Sequence, residues 1–482
     1  MRSFILCVSL LLAYSVSMAS VKEPPPNMSE TTKKCVTCHK KHSPGIVQQW
    51  GASKHYRANV GCYECHKADE GDKDAYLHDD KKVKKLISTI VSPRDCQNCH
   101  ERQVKEAEAS HHAKAGRILG SLDNLLAEVV EGNRDMITDA FPNGNSATAV
   151  NGCWACHGSQ VKVLEDGLLD PATWPNTGIG RINPDGSEGA CTACHQRHEF
   201  STAQARHPNT CGKCHLGPDH PQKEIYEESK HGIAFFTHEA DMNLDNPKWI
   251  PGEDFNLGPT CSTCHMGETR DQPVTHNVGL RISWNNRPVV SIRPEKADAK
   301  MGLESANVNW EDRRDNMKDV CTACHEDNFV DNFYFQYDSL VELYNKKFAI
   351  PGLALYKMAK PLLRPAKFSN KLDWTWFKIW HHEGRRARHG ASMMAPDYVH
   401  WNGLFEVAEN FYLKMIPELE ELVDKGMHSK KIKQRKAARE LKKKIAQVLD
   451  SKDHRWFNDK MDPKEKAARK KAAAEFRARY SK

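Results

Sequence analysis

Sixteen of the 17 cysteines fall into eight copies of one pentapeptide, Cys-x-x-Cys-His. In chain order these are Cys35, Cys38 and His39; Cys62, Cys65 and His66; Cys96, Cys99 and His100; Cys153, Cys156 and His157. The remaining four are Cys191, Cys194 and His195; Cys211, Cys214 and His215; Cys261, Cys264 and His265; Cys321, Cys324 and His325. Cys-x-x-Cys-His is the attachment signature of c-type haem. Its two thiols add across the two porphyrin vinyl groups, and the adjacent histidine is placed to bind the iron. A zinc site would need two Cys pairs per metal and gives no reason for histidine to follow every second cysteine. A disulfide framework needs no histidine at all. Eight covalent haems c are therefore expected.

With eight histidines used as proximal ligands, 17 of the 25 remain. A pure electron carrier would need a distal ligand for every iron, whereas an enzyme leaves one iron face open to substrate. His55, His78, His198, His231, His276 and His389 sit in polar settings suited to reaching a haem. His111 and His112 are alternatives for a seventh ligand, with His112 taken into the set. Seven distal candidates for eight haems leave one iron open. Any of these side chains has an ordinary surface histidine as its plainer explanation.

Around the motifs the chain reads as mostly α with extensive irregular loops. A haem site recurs too densely between Cys35 and His325 for separate domains to form. Pro171–Gly186 and Asn246–Pro259 are loops by composition, and short helices are expected at Val83–Ile90, Arg102–Arg117 and Ser121–Glu131. No alternating β-branched run is long enough to promise a sheet. Beyond His325, Tyr337–Phe348 and Leu404–Val423 have helical apolar spacing, with Leu404, Val407, Phe411, Met415, Leu419 and Leu422 on one stripe. That stripe either packs within the chain or forms a subunit interface. The expected organisation is a signal peptide at 1–19, an octahaem domain at 20–330, a helical part at 331–428 contributing to the active site and subunit contacts, and a basic helical tail at 429–482.

Composition agrees with a cofactor-filled interior. Hydrophobic residues make up 39% of the 482, below the ordinary globular share of roughly 45–50%, and mean hydropathy is −0.70. The net charge of +7 conceals a division. Residues 429–482 hold 20 Lys and Arg against 7 Asp and Glu, or +13, leaving 50 against 56, or −6, elsewhere. Such a tail is ordinarily a solvated helix, with docking to an acidic partner as the sharper reading and nucleic acid excluded by export. Arg2, the apolar run Phe4–Val16 and Ser17-Met18-Ala19 have the form of a secretory signal whose removal discards Cys7. The expected location is periplasmic, without a transmembrane anchor in the mature chain.

No Cys-x-x-Cys-Lys motif occurs. The number and order of motifs, with the strings Cys194–Ser201, Cys214–His220, Ser229–Gly232 and Thr275–Asn277, resemble the octahaem hydroxylamine oxidoreductase family across essentially the whole mature chain. The resemblance implies that the fourth haem, at Cys153, Cys156 and His157, is catalytic and the other seven are bis-histidine. It implies that Asp219 and His220 stand over the open iron, where a plain turn after a motif would otherwise be the reading. An Asp-His pair there can relay protons as an iron-bound nitrogen species changes oxidation state. A homotrimer follows from the resemblance alone. Hydroxylamine-oxidising members carry a tyrosine bonded to the catalytic porphyrin of a neighbouring subunit. Tyr398 is the tyrosine available in that stretch, one residue out of register with Asp397 at the expected place, and Phe333-Tyr334 gives no clean match to a second one. With the Gly158–Ala190 insertion, these departures resemble the nitrite-reducing branch. The implied activity is multi-electron redox of a small nitrogen compound, hydroxylamine or hydrazine oxidation first and nitrite reduction as the alternative, with a conduit lacking substrate as a third. The implied partner is a soluble or membrane redox protein, a cytochrome or a quinone-linked one.

Overall fold

The computed structural model describes residues 23–25, 27–80, 83–118, 129–130, 148–288, 290 and 294–481. The expected signal segment, with Cys7, and most of the helix expected at Ser121–Glu131 lie outside the described residues.

Each Cys-x-x-Cys-His motif sits on a helical turn, because only there do residues three apart share a face. Helix α1 (Glu30–His42) carries the first motif and is capped by Ser29, whose side chain accepts from Thr32 N–H. Helix α2 (Pro93–Glu108) carries the third, opened by a capping box of Ser92 and Asp95. At His100 its backbone leaves helical geometry, with φ −119° and ψ 42°. The second and seventh motifs occupy five-residue helices, Cys62–His66 and Cys261–His265. The eighth closes α3 (Trp310–Thr322).

Two local expectations are corrected. Val83–Ile87 is a strand, not a helix, and pairs antiparallel with Tyr76–Asp80; these are β2 and β1. Cross-strand pairing places Asp79 opposite Lys84 and His78 opposite Lys85, so complementary neighbours override a weak helical pattern. In the second case, Arg102–Arg117 is not one helix. Helix α2 ends at Glu108, an irregular turn carries His111 and His112, and a short helix follows at Ala115–Ile118. The loops at 171–186 and 246–259 are irregular as expected.

The helical part supplies the main apolar core. Helices α4 (Asp327–Tyr344), α5 (Ile350–Ala359), α6 (Lys371–Phe377), α7 (Gly384–Ser392), α8 (Ile416–Met427) and α9 (Ile432–Leu449) surround one large cluster. It runs from Val290 through Tyr344, Trp376 and Ile379 to Leu449. The stripe of Val407, Phe411, Met415 and Leu419 is fully buried in it, with Leu404 and Leu422 at its margin. The stripe thus packs within its own chain. The haem-motif half holds only smaller clusters, such as Tyr226, Phe235, Met242, Trp249 and Phe255.

Several helices pass through π turns, at Asn345–Ala349, Lys378–Glu383, His400–Phe405 and Phe411–Met415. Two of these immediately precede the segments that carry Pro351 and Pro417. Proline in a regular helix loses an N–H and clashes with the carbonyl four residues back, and the wider turn relieves both. At Gly384 an added Cβ would lie 2.5 Å from Tyr344 Oη and 2.6 Å from the Ile379 carbonyl. Glycine is required there for α7 to approach α4.

The basic tail divides. Helix α9 buries Ala438, Leu441, Ile445, Val448 and Leu449 against the core, whereas α10 (Pro463–Ala478) buries nothing. No helix among the described residues is long and apolar enough to cross a membrane. Deleting residues 463–482 should leave the melting temperature of the holoprotein within about 2 °C. Deleting 430–482 should lower it by more than 8 °C, because losing a buried Leu or Ile typically costs 2–5 kcal/mol. Equal melting temperatures for the two truncations would contradict the core role of α9.

Candidate haem sites and the Asp219 cluster

The sixteen motif cysteines form no disulfide, leaving every thiol free for thioether attachment. Five proximal histidines face a second imidazole. The ring centres of His55 and His100 are 6.2 Å apart, of His66 and His198 6.4 Å, and of His112 and His215 6.1 Å. Those of His195 and His276 are 6.4 Å apart, and of His231 and His325 6.1 Å. An imidazole nitrogen lies about 2 Å from a bound metal. Adding roughly 1.1 Å from that nitrogen to each ring centre, two opposed rings on one iron are about 6.3 Å apart. The five pairs therefore fit a six-coordinate haem iron.

The ligand chemistry fits as well. His66 Nδ1 donates to Ser88 O at 2.8 Å and His157 Nδ1 to Ala115 O at 3.3 Å. A carbonyl can only accept, so this tautomer leaves Nε2 as the metal-binding nitrogen. Burial pushes His112 down to about 3 and His195, His198 and His265 down to about 4. Neutral imidazole is the ligating form.

His111 and His112 have different partners. His111 Nε2 lies 2.8 Å from Asp298, a buried carboxylate also bound by Arg313, while His112 is the ring facing His215. His78, on β1, is an electrostatic neighbour of His39. His389 lies elsewhere than against a proximal ring. Its contacts are Gln222 Nε2 at 3.5 Å and Asn286 Oδ1 at 3.4 Å, with His220 and His215 among its charged neighbours. Tyr398 is half-buried beside Glu224 and Glu228, and burial with those carboxylates raises its phenol.

The thiols of different motifs adjoin one another in a definite order. Cys96 lies beside Cys191, Cys156 beside Cys214, and Cys211 beside Cys261. Cys35 neighbours Cys62, Cys65 neighbours Cys99, Cys194 neighbours Cys211, and Cys264 neighbours Cys321. The motifs thus form a line, first, second, third, fifth, sixth, seventh and eighth. The fourth branches from the sixth.

Asp219 and His220 follow the sixth motif through Gly217, whose φ of +91° favours glycine. Cys156 of the fourth motif neighbours Cys214, and the ring of His220 lies 6.2 Å from that of His215, the sixth motif's own histidine, which thus has both His112 and His220 beside it. Asp219 Oδ1 is 3.4 Å from His220 Nε2. Its other oxygen is 3.6 Å from His381 Nδ1 and 3.6 Å from Arg385 Nη1. His381, His382 and Arg385 come from the π turn Lys378–Glu383 and the start of α7. Burial and His381 push His382 down to about 4, and burial raises Glu383 to about 6. These residues are absent from the candidate set drawn from sequence. The density of titratable groups in Trp380–His389, within an otherwise apolar helical region, was the available signal.

The chain is similar to known multihaem cytochromes. The family described as seven times multi-haem cytochrome CxxCH matches residues 184–365, and that of cytochrome c554 and c-prime matches 12–67. The probable nitrite reductase-hydroxylamine oxidoreductase fusion protein of Kuenenia stuttgartiensis is 27% identical over 339 residues, covering 61% of this chain and 34% of that protein. The chain thus spans about a third of the length of that relative. A solved structure described as a hypothetical multiheme protein has a TM-score of 0.69 at 26% identity, covering 82% of this chain and 96% of its own. The Kuenenia stuttgartiensis reducing HAO-like protein complex shares the fold, with a TM-score of 0.53 at 19% identity over 80% of this chain and 84% of that one.

The two adjacent histidines provide a direct test. His112→Ala should give the holoprotein one additional high-spin haem signal in its optical and EPR spectra, whereas His111→Ala should leave the low-spin haems unchanged. The reverse pattern would assign the ligand to His111.

Proposed function

We propose that this chain, which belongs to the hydroxylamine oxidoreductase-like multihaem c-type cytochromes, is an exported enzyme that reduces nitrite at the fourth site. The observation that supports this reading is the Asp219 cluster, whose turn follows Cys214, a neighbour of Cys156 in the fourth motif. When bound, haem supplies the iron that takes the substrate nitrogen atom and the electrons that reduce it. His157 is the residue that would hold that iron, with its Nδ1–H directed to Ala115 O. The five opposed histidine pairs, together with His78 at the first site, are the ligands proposed for six of the remaining seven haems. The line of motifs is the route by which electrons arrive from a redox partner, and a homotrimer is the assembly proposed from the family resemblance.

Reducing nitrite to ammonium takes six electrons and eight protons and releases two waters. Proton delivery is therefore what the polypeptide must provide. His220, with Asp219 behind it, is the group proposed to donate those protons. Arg385 and His381 face the other oxygen of Asp219. The Kuenenia stuttgartiensis relative is described as a fusion of nitrite reductase and hydroxylamine oxidoreductase, a name that accommodates either direction.

Hydroxylamine or hydrazine oxidation is the second reading, and Tyr398 favours it. This tyrosine is half-buried beside Glu228, on the helix that follows Asp219 and His220, where a neighbouring subunit could meet it. A denaturing gel showing covalently joined chains, lost in Tyr398→Phe, would support that reading. Its absence supports reduction.

Turnover decides between these activities. With a low-potential donor, nitrite reduction should exceed hydroxylamine oxidation by at least tenfold, and His220→Ala should lower its kcat by 10²–10⁴ with haem content unchanged. Faster hydroxylamine oxidation would reverse the direction. No turnover and no high-spin haem would leave the chain an electron conduit.

A further inference from the structure

We propose that His381, with Arg385, is a positioning residue that fixes Asp219 and so presents one nitrogen of His220 to the open iron for proton exchange. The inference rests on the reading that Asp219 and His220 handle protons at the fourth site. It adds the part of the fold that holds them.

The two oxygens of Asp219 are used differently. Oδ1 faces His220 Nε2 at 3.4 Å, and Oδ2 faces His381 Nδ1 and Arg385 Nη1, each at 3.6 Å. These separations lie just beyond the usual hydrogen-bond range of 2.7–3.2 Å, as catalytic contacts often do before ligand binds. A carboxylate facing Nε2 favours the proton on that nitrogen. His220 Nδ1 then carries the lone pair in the neutral ring and a second proton in the charged one. His220 Nδ1 is buried without a hydrogen-bond partner. A buried polar atom left unpaired is costly, and such atoms in native proteins call for a reason such as catalysis. A nitrogen that must alternately hold and release a proton to a substrate provides that reason.

Asp219 lies on an irregular turn after Gly217 and has little local support. His381, by contrast, is locked. It is 4% exposed, stacked on Phe377 at 4.2 Å between ring centres and edge-on to Trp380 at 4.9 Å. Arg385 lies over the Trp380 ring at 5.3 Å, which fixes its direction too. The π turn Lys378–Glu383 matters here. Each residue of a regular helix advances the side-chain direction by about 100°, so one residue of slippage would turn His381 away from Asp219. Functional sites are where such turns concentrate. His382, Lys378, Glu383 and Arg386 are further charged or titratable side chains at this turn.

The test uses the oxidised holoprotein and cyanide, which needs no turnover. Binding of HCN to a ferric haem with an open face would release its proton, and His220 Nδ1 would be the base that takes it. The association rate measured by stopped flow therefore reports proton acceptance. His381→Ala should slow cyanide association about tenfold and lower kcat for nitrite by 10- to 100-fold, with KM within twofold. His381→Gln retains an N–H that can face Asp219 and should recover both rates to within about threefold of wild type. Equal loss in the two variants at unchanged haem content and melting temperature overturns the inference, because a packing role would produce that result. Wild-type rates in His381→Ala overturn it as well. If His220→Ala binds cyanide at the wild-type rate, or no haem binds it, the reading beneath has failed, and this inference with it.

Discussion

One distance recurs in this molecule: five pairs of imidazole rings lie 6.1–6.4 Å apart, close to the roughly 6.3 Å expected of two rings that share an iron. The proximal ring of each site is placed by local geometry, since it follows its own cysteine on a helical turn. The opposing ring must come from elsewhere in the chain. His198, beyond the fifth motif, faces the second, and His112, before the fourth, faces the sixth. His231 precedes the seventh motif and faces the eighth. Sites so interlaced cannot fold independently. Because ligand pairs preformed at this spacing do not exist in an unfolded chain, ligand binding and folding are coupled.

This division between local and distant explains what was legible in the sequence. The candidate attachment sites and proximal ligands are local features, each written into five consecutive residues. The set of distal candidates was readable from the surplus of histidines, and five of its members face a proximal ring. Their pairing was not, because nothing local tells His55 that it faces His100. The choice between His111 and His112 depended on Asp298 and Arg313, both far along the chain. Similarly, the strand at Val83–Ile87 arises from cross-strand partners that a helical pattern search does not weigh. The C-terminal helices were legible for the opposite reason, since their apolar period is a local property with a single outcome.

The tail shows how charge can hide packing. Twenty Lys and Arg in 429–482 read as one solvated segment, yet Leu441, Ile445, Val448 and Leu449 recur at helical spacing on the face that α9 turns inward. The charges of α9 occupy the remaining faces. Only α10 is basic without an apolar face in contact with the core. A docking role based on charge therefore belongs to α10, whereas α9 belongs to the structural core. The acidic character of the rest of the chain, −6 before any propionates are added, makes a second copy and an acidic redox protein both electrostatically suited to it.

The apolar core and the chemistry are connected through the helix that holds His381. The largest apolar cluster runs from Val290 to Leu449, whereas the clusters of the motif half are small. Ile379, Trp380 and Phe377 belong to that large cluster and flank His381 and Arg385 in sequence. The side chains facing Asp219 are thus anchored in the most rigid part of the molecule, while Asp219 itself sits on a loop between haem motifs. Catalytic geometry is most accurately held when its supports lie on packed elements rather than loops. An aspartate on a loop, braced by a histidine from a core helix, combines a position set by the haem array with an orientation set by the core.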